Sequence, residues 1–170
     1  MFRSVSLFRR SAGLTTLLLT LATLLFSACQ KEDVDNTDYA ARDEALITAY
    51  IQDNNLSGFQ RQESGLYVAI TQPGTGATAQ AGQTVSARYT GLTLDGKVFD
   101  STANRNNTPL DFTLGRGQVI AGWDQGFALL NKGSKAILLI PSDLAYGSQG
   151  VGPIAPRSVL RFDVEVTDIK

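Results

Sequence analysis

Val119-Ile120-Ala121-Gly122-Trp123 puts the only tryptophan of the chain at the start of an amphipathic segment, and the fold is read outward from there. The spacing predicts a short helix from Ala121 to Leu130, with Trp123, Phe127 and Leu130 on one stripe, Asp124, Gln125 and Asn131 off it, and Gly133 closing the segment. One face is therefore buried. A lone Trp beneath a helix is by default core packing, since Trp is mostly buried on average. Its neighbours decide whether it does more.

Those neighbours are short strands divided by glycine-rich turns. Gly65 to Ile70 alternates, with Leu66, Val68 and Ile70 on one face, and stops at the turn Gln72-Pro73-Gly74-Thr75-Gly76. Thr84 to Thr93 alternates Val85, Ala87 and Tyr89 against Thr84, Ser86 and Arg88, and Asp95-Gly96 turns the chain into Lys97 to Ser101, a hairpin by its turn chemistry. Asn104 to Pro109 is a polar loop, Leu110 to Leu114 a short strand, and Gly115-Arg116-Gly117 the entry to the helix. Ala136 to Ile140 is an apolar run of strand length, and Val159 to Ile169 alternates Leu160, Phe162, Val164 and Val166 against Arg161, Asp163, Glu165 and Thr167. The expected class is α+β: about five antiparallel strands and one short helix covering the single strongly apolar face of the sheet.

The first part of the chain reads differently. Residues 1–28 carry Arg3, Arg9 and Arg10 ahead of an uncharged apolar run from Leu14 to Phe26, the layout of a secretory signal. Phe26-Ser27-Ala28-Cys29 resembles the lipobox of bacterial lipoproteins, which implies that Cys29, the only cysteine, becomes a lipidated N-terminus; Phe26 stands where that motif usually has Leu. The alternatives are an uncleaved membrane anchor or a plain signal followed by a free Cys. Residues 29–37 form a polar, acidic tether, and Lys31-Glu32-Asp33 is similar to a surface-export signal of some lipoproteins as much as to a solvated linker. The expected location is the cell envelope, on a lipid anchor in the outer membrane, facing the periplasm or the surface. Residues 38–62 hold an accessory helix, Tyr39 to Asp53, capped by Asp38 and ending at Asn54-Asn55, then a polar connector. Leu46, Ile47, Tyr50 and Ile51 form its apolar stripe, with Arg42, Asp43, Glu44 and Gln52 mostly away from it; the helix is expected to dock on the domain of residues 63–170, the alternative being a second copy of the chain.

Composition narrows the chemistry. The chain has 170 residues and no His, which removes His-dependent triads and His-ligated metals, and a single Cys excludes internal disulfides and Cys-cluster metal sites. Loss of three of the 15 basic residues with the signal leaves 12 against 16 acidic ones, a net charge of −4 that does not invite nucleic acid. Gly115-x-Gly117 and Gly147-x-x-Gly150 lack the context of phosphate loops. Among the acids Asp100 stands out: it follows Phe99 at the end of an apolar strand and should be at least partly buried, where a carboxylate needs a partner or a task. Tyr89, Phe99, Phe112, Trp123, Tyr146 and Phe162 lie on different elements, and large rigid rings that converge tile poorly and leave a pocket.

Tyr89-Thr90-Gly91, Asp95 to Ser101, Gly117 to Asp124, Ala145-Tyr146-Gly147 and Phe162-Asp163-Val164-Glu165 together resemble an FKBP-type peptidyl-prolyl cis-trans isomerase, in order from about Glu63 to the C-terminus. The resemblance implies a twisted antiparallel sheet wrapped around the short helix, and a pocket for proline and for macrolides. It implies Asp100, Tyr146 and Ile120 as catalytic residues, and Tyr89, Phe99, Phe112, Val119, Trp123, Ile154 and Phe162 as substrate-binding ones, with Trp123 the floor and Ile154 the wall residue of the Gly150–Pro156 loop. Leu110 takes a position usually aromatic.

Rotation about a peptide bond crosses about 18–20 kcal/mol and breaks no bond, so neither nucleophile, metal nor cofactor is expected. The rival is a non-catalytic cleft that holds proline-containing or unfolded chains. Retention of the polar Asp100 and Tyr146 beside the apolar residues favours the isomerase.

Overall fold

The computed structural model describes residues 37–170. The signal, Cys29 and nearly all of the tether lie outside the described residues. Within them, helix α1 spans Tyr39–Asp53, with Asp38 accepting from the Ala41 N–H at 3.0 Å as its cap. The strands follow as β1 (Gln60–Arg61), β2 (Tyr67–Gln72), β3 (Thr75–Thr78), β4 (Thr84–Thr93), β5 (Val98–Ser101) and β6 (Leu110–Thr113). Helix α2 (Ala121–Phe127) precedes β7 (Asn131–Lys132), β8 (Lys135–Ile140) and β9 (Leu160–Ile169). The main sheet runs β1-β2-β8-β9-β4-β5, all antiparallel, with β6 on the first half of β4 and β5 on its second half. A second, two-stranded sheet pairs β3 with β7.

The chain forms more strands than the five expected, because β1, β3 and β7 are two to four residues long and too short to show alternation. Helix α2 is also shorter than expected. It stops at Phe127, where Leu129 and Leu130 donate to the Gly126 and Phe127 carbonyls in tight turns, and the Leu130 carbonyl is taken by the Ala79 N–H at 2.9 Å. Leu130 reaches the core from this turn, fully buried, rather than from the helix.

The larger correction concerns the sheet, which is apolar on two faces along β8. Leu138 and Ile140 point into the main core with Trp123, Phe127 and Phe162, while Leu139 and Ile137 point the other way. Helix α2 lies very close on the inner side: a Cβ at Gly122 would stand 2.4 Å from Ile140 and one at Gly126 2.9 Å from Leu138. Helix α1 covers the outer side, burying Ile47 against Tyr67, Leu139 and Val159, a contribution of about 1.5–3 kcal/mol for such a side chain. The continuous apolar run of β8 is the sequence of a strand covered on both faces.

The apolar stripe expected on α1 is revised in two places. Leu46 is 44% exposed, and Asp43, expected to face away, is 1% exposed. Asp43 accepts from the Ser142 N–H at 2.8 Å and pairs with Arg42 at 2.6 Å, and these partners offset the cost of burying a carboxylate. Glu44 accepts from the Tyr67 hydroxyl and pairs with Arg61 at 2.9 Å, and Arg161 donates to the Tyr50 hydroxyl at 3.0 Å. Polar bonds thus set where α1 lies, around one buried Ile.

Candidate active site

The inner face opens at one end into a cavity of about 170 Å³ lined by Tyr89, Phe99, Asp100, Leu110, Gln118, Val119, Ile120, Trp123, Tyr146 and Phe162. They come from seven stretches: Tyr89 from β4, Phe99 and Asp100 from β5, Leu110 from β6, Gln118 to Ile120 from the turn before α2, Trp123 from α2, Tyr146 from the loop after β8 and Phe162 from β9. A broader depression of about 440 Å³ on the outer face is lined by Arg88, Lys135, Arg161, Asp163 and Glu165 among others. It is open and mixed in charge, and Tyr89 is the one aromatic residue on its lining against five in the smaller cavity, so the aromatic cavity is the candidate.

The floor is a lattice of rings. Trp123 stands edge-on to Tyr89 at 4.9 Å and to Phe162 at 5.3 Å, and Phe162 is edge-on to Phe99 at 5.5 Å, the geometry that aromatic quadrupoles favour. Gly91, opposite Phe162 in the β4–β9 register, makes room for them: a Cβ there would lie 2.6 Å from the Phe99 ring and 2.8 Å from Phe162. The entry to α2 is fixed from below by Asp124, whose carboxylate accepts from Gly115 at 2.9 Å and Gly117 at 3.1 Å, both at positive φ. That turn presents Val119 and Ile120. The Ile120 carbonyl accepts from Trp123 and Asp124, while its own N–H meets no acceptor among the described residues.

Polar groups gather on one wall. The Tyr89 hydroxyl donates to Asp100 and accepts from Arg105 at 2.7 Å, and the Arg105 guanidinium stands 3.7 Å from the other Asp100 oxygen and 5.7 Å over the Tyr89 ring. Burial, then the bond to Asp100, raises the Tyr89 phenol above its ordinary value, and burial followed by the charge of Asp100 raises Tyr146. Both phenols therefore stay protonated donors at neutral pH. Asp100 is only half-buried, but it has the partners that its position called for.

Two residues expected at the pocket lie elsewhere. Phe112 is 3% exposed beneath the floor, packed on Trp123 at 5.6 Å and on Phe127 at 5.2 Å. Ile154 is turned into the core by a tight bridge with Val151, and it is Val151 that faces solvent, 56% exposed. Trp123 is itself 3% exposed, so its pocket edge is a small part of the ring. The site gains Leu110, Gln118 and Arg105; nothing in the polar Asn104–Pro109 loop marked Arg105, which reaches Tyr89 only because Thr102–Arg105 forms a 3-10 turn. Among the described residues no group of His, Cys, Asp and Glu could hold a metal ion.

Residues 76–167 match the family described as FKBP-type peptidyl-prolyl cis-trans isomerase. The chain is 46% identical over 108 residues to peptidyl-prolyl cis-trans isomerase Fkbp12 of Drosophila melanogaster, covering 62% of this chain and 99% of that one. It is 36% identical to the isomerase FkpA of Escherichia coli over 144 residues, 85% of this chain and 51% of the relative. The crystal structure of Escherichia coli FkpA superposes with a TM-score of 0.67 at 37% identity, covering 92% of this chain and 70% of that one. The chain belongs to the FKBP-type peptidyl-prolyl cis-trans isomerase family. It is an isomerase of X-Pro peptide bonds, built on the family's antiparallel sheet and short helix.

Proposed function

We propose that the aromatic cavity grips the proline ring, strips water from the prolyl amide and binds its twisted form more tightly than its planar forms. The supporting observation is the pairing of a ring-lined floor with free polar groups at its edge. In the twisted state C–N resonance is lost and the charges on N and O shrink, so a dry, apolar site favours it over the planar ground states. Trp123, Val119 and Phe162 hold the ring, with Phe112 supporting Trp123 from beneath and Tyr89 and Phe99 forming the sides. The Ile120 N–H and Tyr146 hydroxyl donate to substrate carbonyls, and Asp100, oriented by Tyr89 and Arg105, faces the twisted carbonyl.

The substrates are proline-containing polypeptides, and macrolides with a proline-like ring would compete for the same cavity. Cys29 carries the lipid, and the enzyme works on folding proteins of the cell envelope; the supporting feature is the sequence around Cys29. Incorporation of labelled palmitate, lost on Cys29→Ser, tests the anchor.

A Leu-Pro tetrapeptide isomerisation assay tests the pocket. Asp100→Ala and Tyr146→Phe should each lower kcat/KM about ten- to a hundredfold, the range of a hydrogen bond to a polar or charged group. Unchanged rates in both would leave the chemistry without its assigned residues, and binding of proline peptides with no acceleration would favour a holding module.

A further inference from the structure

The carboxylate on the buried face of α1 has a consequence for the pocket. Its two oxygens reach different places: Oδ2 accepts from the Ser142 N–H at 2.8 Å, and Oδ1 accepts from Arg42, at 3.0 Å from Nε and 2.6 Å from Nη2. Arg42 in turn donates to the Arg157 carbonyl. Ser142 and Arg157 bracket the loop that carries Tyr146, and the loop is closed on itself between them: Gly147 donates to the Ser142 carbonyl at 2.9 Å, and Arg157 donates to the Gly147 carbonyl at 2.8 Å. Tyr146 sits one residue before that junction.

Arg157 has φ +56, a left-handed backbone that a non-glycine residue holds only where its surroundings over-determine it. Here they do. Its carbonyl is taken by Arg42, its guanidinium pairs with Asp143, and it lies 4.2 Å over the Tyr39 ring of α1, which Arg42 covers at 4.6 Å. An aliphatic side chain at position 43 would pack α1 on the domain without the cost of a buried carboxylate. What the carboxylate adds is direction, since it fixes where Ser142 and Arg42 sit.

We propose that Asp43 is a positioning residue for the isomerase: through Ser142, and through Arg42 and Arg157, it fixes the loop that holds the Tyr146 hydroxyl at the prolyl pocket. This rests on Tyr146 being a substrate contact. Helix α1 is then part of the enzyme rather than a cover for the outer face of the sheet.

The test uses the full-length chain in mild detergent, with the Tyr146 hydroxyl titrated by carbon-labelled tyrosine NMR and assigned by Tyr146→Phe. In Asp43→Ala the loop relaxes, the Tyr146 titration falls back toward the ordinary value of about 10, and kcat/KM drops about tenfold. Asp43→Asn keeps an oxygen for the Ser142 N–H and retains most of both. A titration unmoved in folded Asp43→Ala overturns the proposal, as does an equal loss of kcat/KM from Asp43→Ala in parental and Tyr146→Phe backgrounds. Should Asp43→Ala fail to fold, Arg42→Ala carries the test, with a smaller shift in the same direction expected and none overturning it. A parental rate in Tyr146→Phe alone would instead remove Tyr146 from catalysis, and the NMR titration would still decide what Asp43 holds.

Discussion

The two helices lie on opposite faces of β8 and are held there by different means. Helix α2 approaches so closely that Gly122 and Gly126 meet Ile140 and Leu138 with no room for a methyl group, and its aromatic side chains fill the inner core. Helix α1 buries one aliphatic side chain fully, and its other anchors are Asp43, Glu44 and Tyr50 through hydrogen bonds. Dense apolar contact gives a helix whose removal would undo the domain. Directional polar contact gives one whose loosening would move particular loops.

That contrast can be broken by deletion on each side. Phe127→Ala, at the centre of the ring lattice, should cost about 3–5 kcal/mol in urea unfolding, and Ile47→Ala beneath α1 about 2–3 kcal/mol, toward the low end for a site that can collapse. Equal costs, or a larger one at Ile47, would put the outer cluster on the same footing as the inner core. Gly122→Ala sharpens the same point from the opposite direction. The new methyl must displace Ile140, and overpacking of this kind should cost about 1–3 kcal/mol despite the gain in helix propensity, read as a lower thermal midpoint.

Titration separates the faces further. On the pocket side, the Tyr89 phenol is raised by burial and by its bond to Asp100. A raised phenol adds stability that is fully present below the unfolded value, about 10, and is lost as pH rises through the folded value. Thermal unfolding between pH 8 and 11 should therefore show an alkaline decline that is shallower in Tyr89→Phe. On the α1 side, Glu44 is held below its ordinary value by the Tyr67 hydroxyl and by Arg61. Its contribution is present above the unfolded value near 4.5 and lost as pH falls through the lowered folded one. Because the Glu44 side chain keeps about a third of its surface in solvent, 35%, its pair is screened, and Glu44→Gln should cost only a few tenths of a kcal/mol at pH 7 and flatten the acid decline.

Much of this was legible in the sequence where a local pattern carries the structure. Asp38 and Asn54-Asn55 bound α1, and the long alternations of β4 and β9 place the sheet. The rings of the pocket could be named only from motifs shared with a family, since periodicity does not say which buried ring borders a cavity. Phe112 and Ile154 show the limit: both are apolar residues next to the site, and a difference of depth in one strand or one tight turn sends them into the core. Asp43 was hidden because polarity in a helix is ordinarily a sign of exposure, and its partner is a backbone N–H ninety-nine residues away. Arg105 was hidden because its role depends on a three-dimensional neighbour, Tyr89, across a hairpin.

The double covering of β8 bears on how the native state opens. This strand is hydrogen-bonded on both edges, to β2 and β9, and from Leu138 to Ile140 every side chain is buried, whichever face it points to. Its amides can exchange with solvent only when one neighbouring strand and its helix leave together, so the order in which deuterium enters the sheet should end at Leu138 and Leu139.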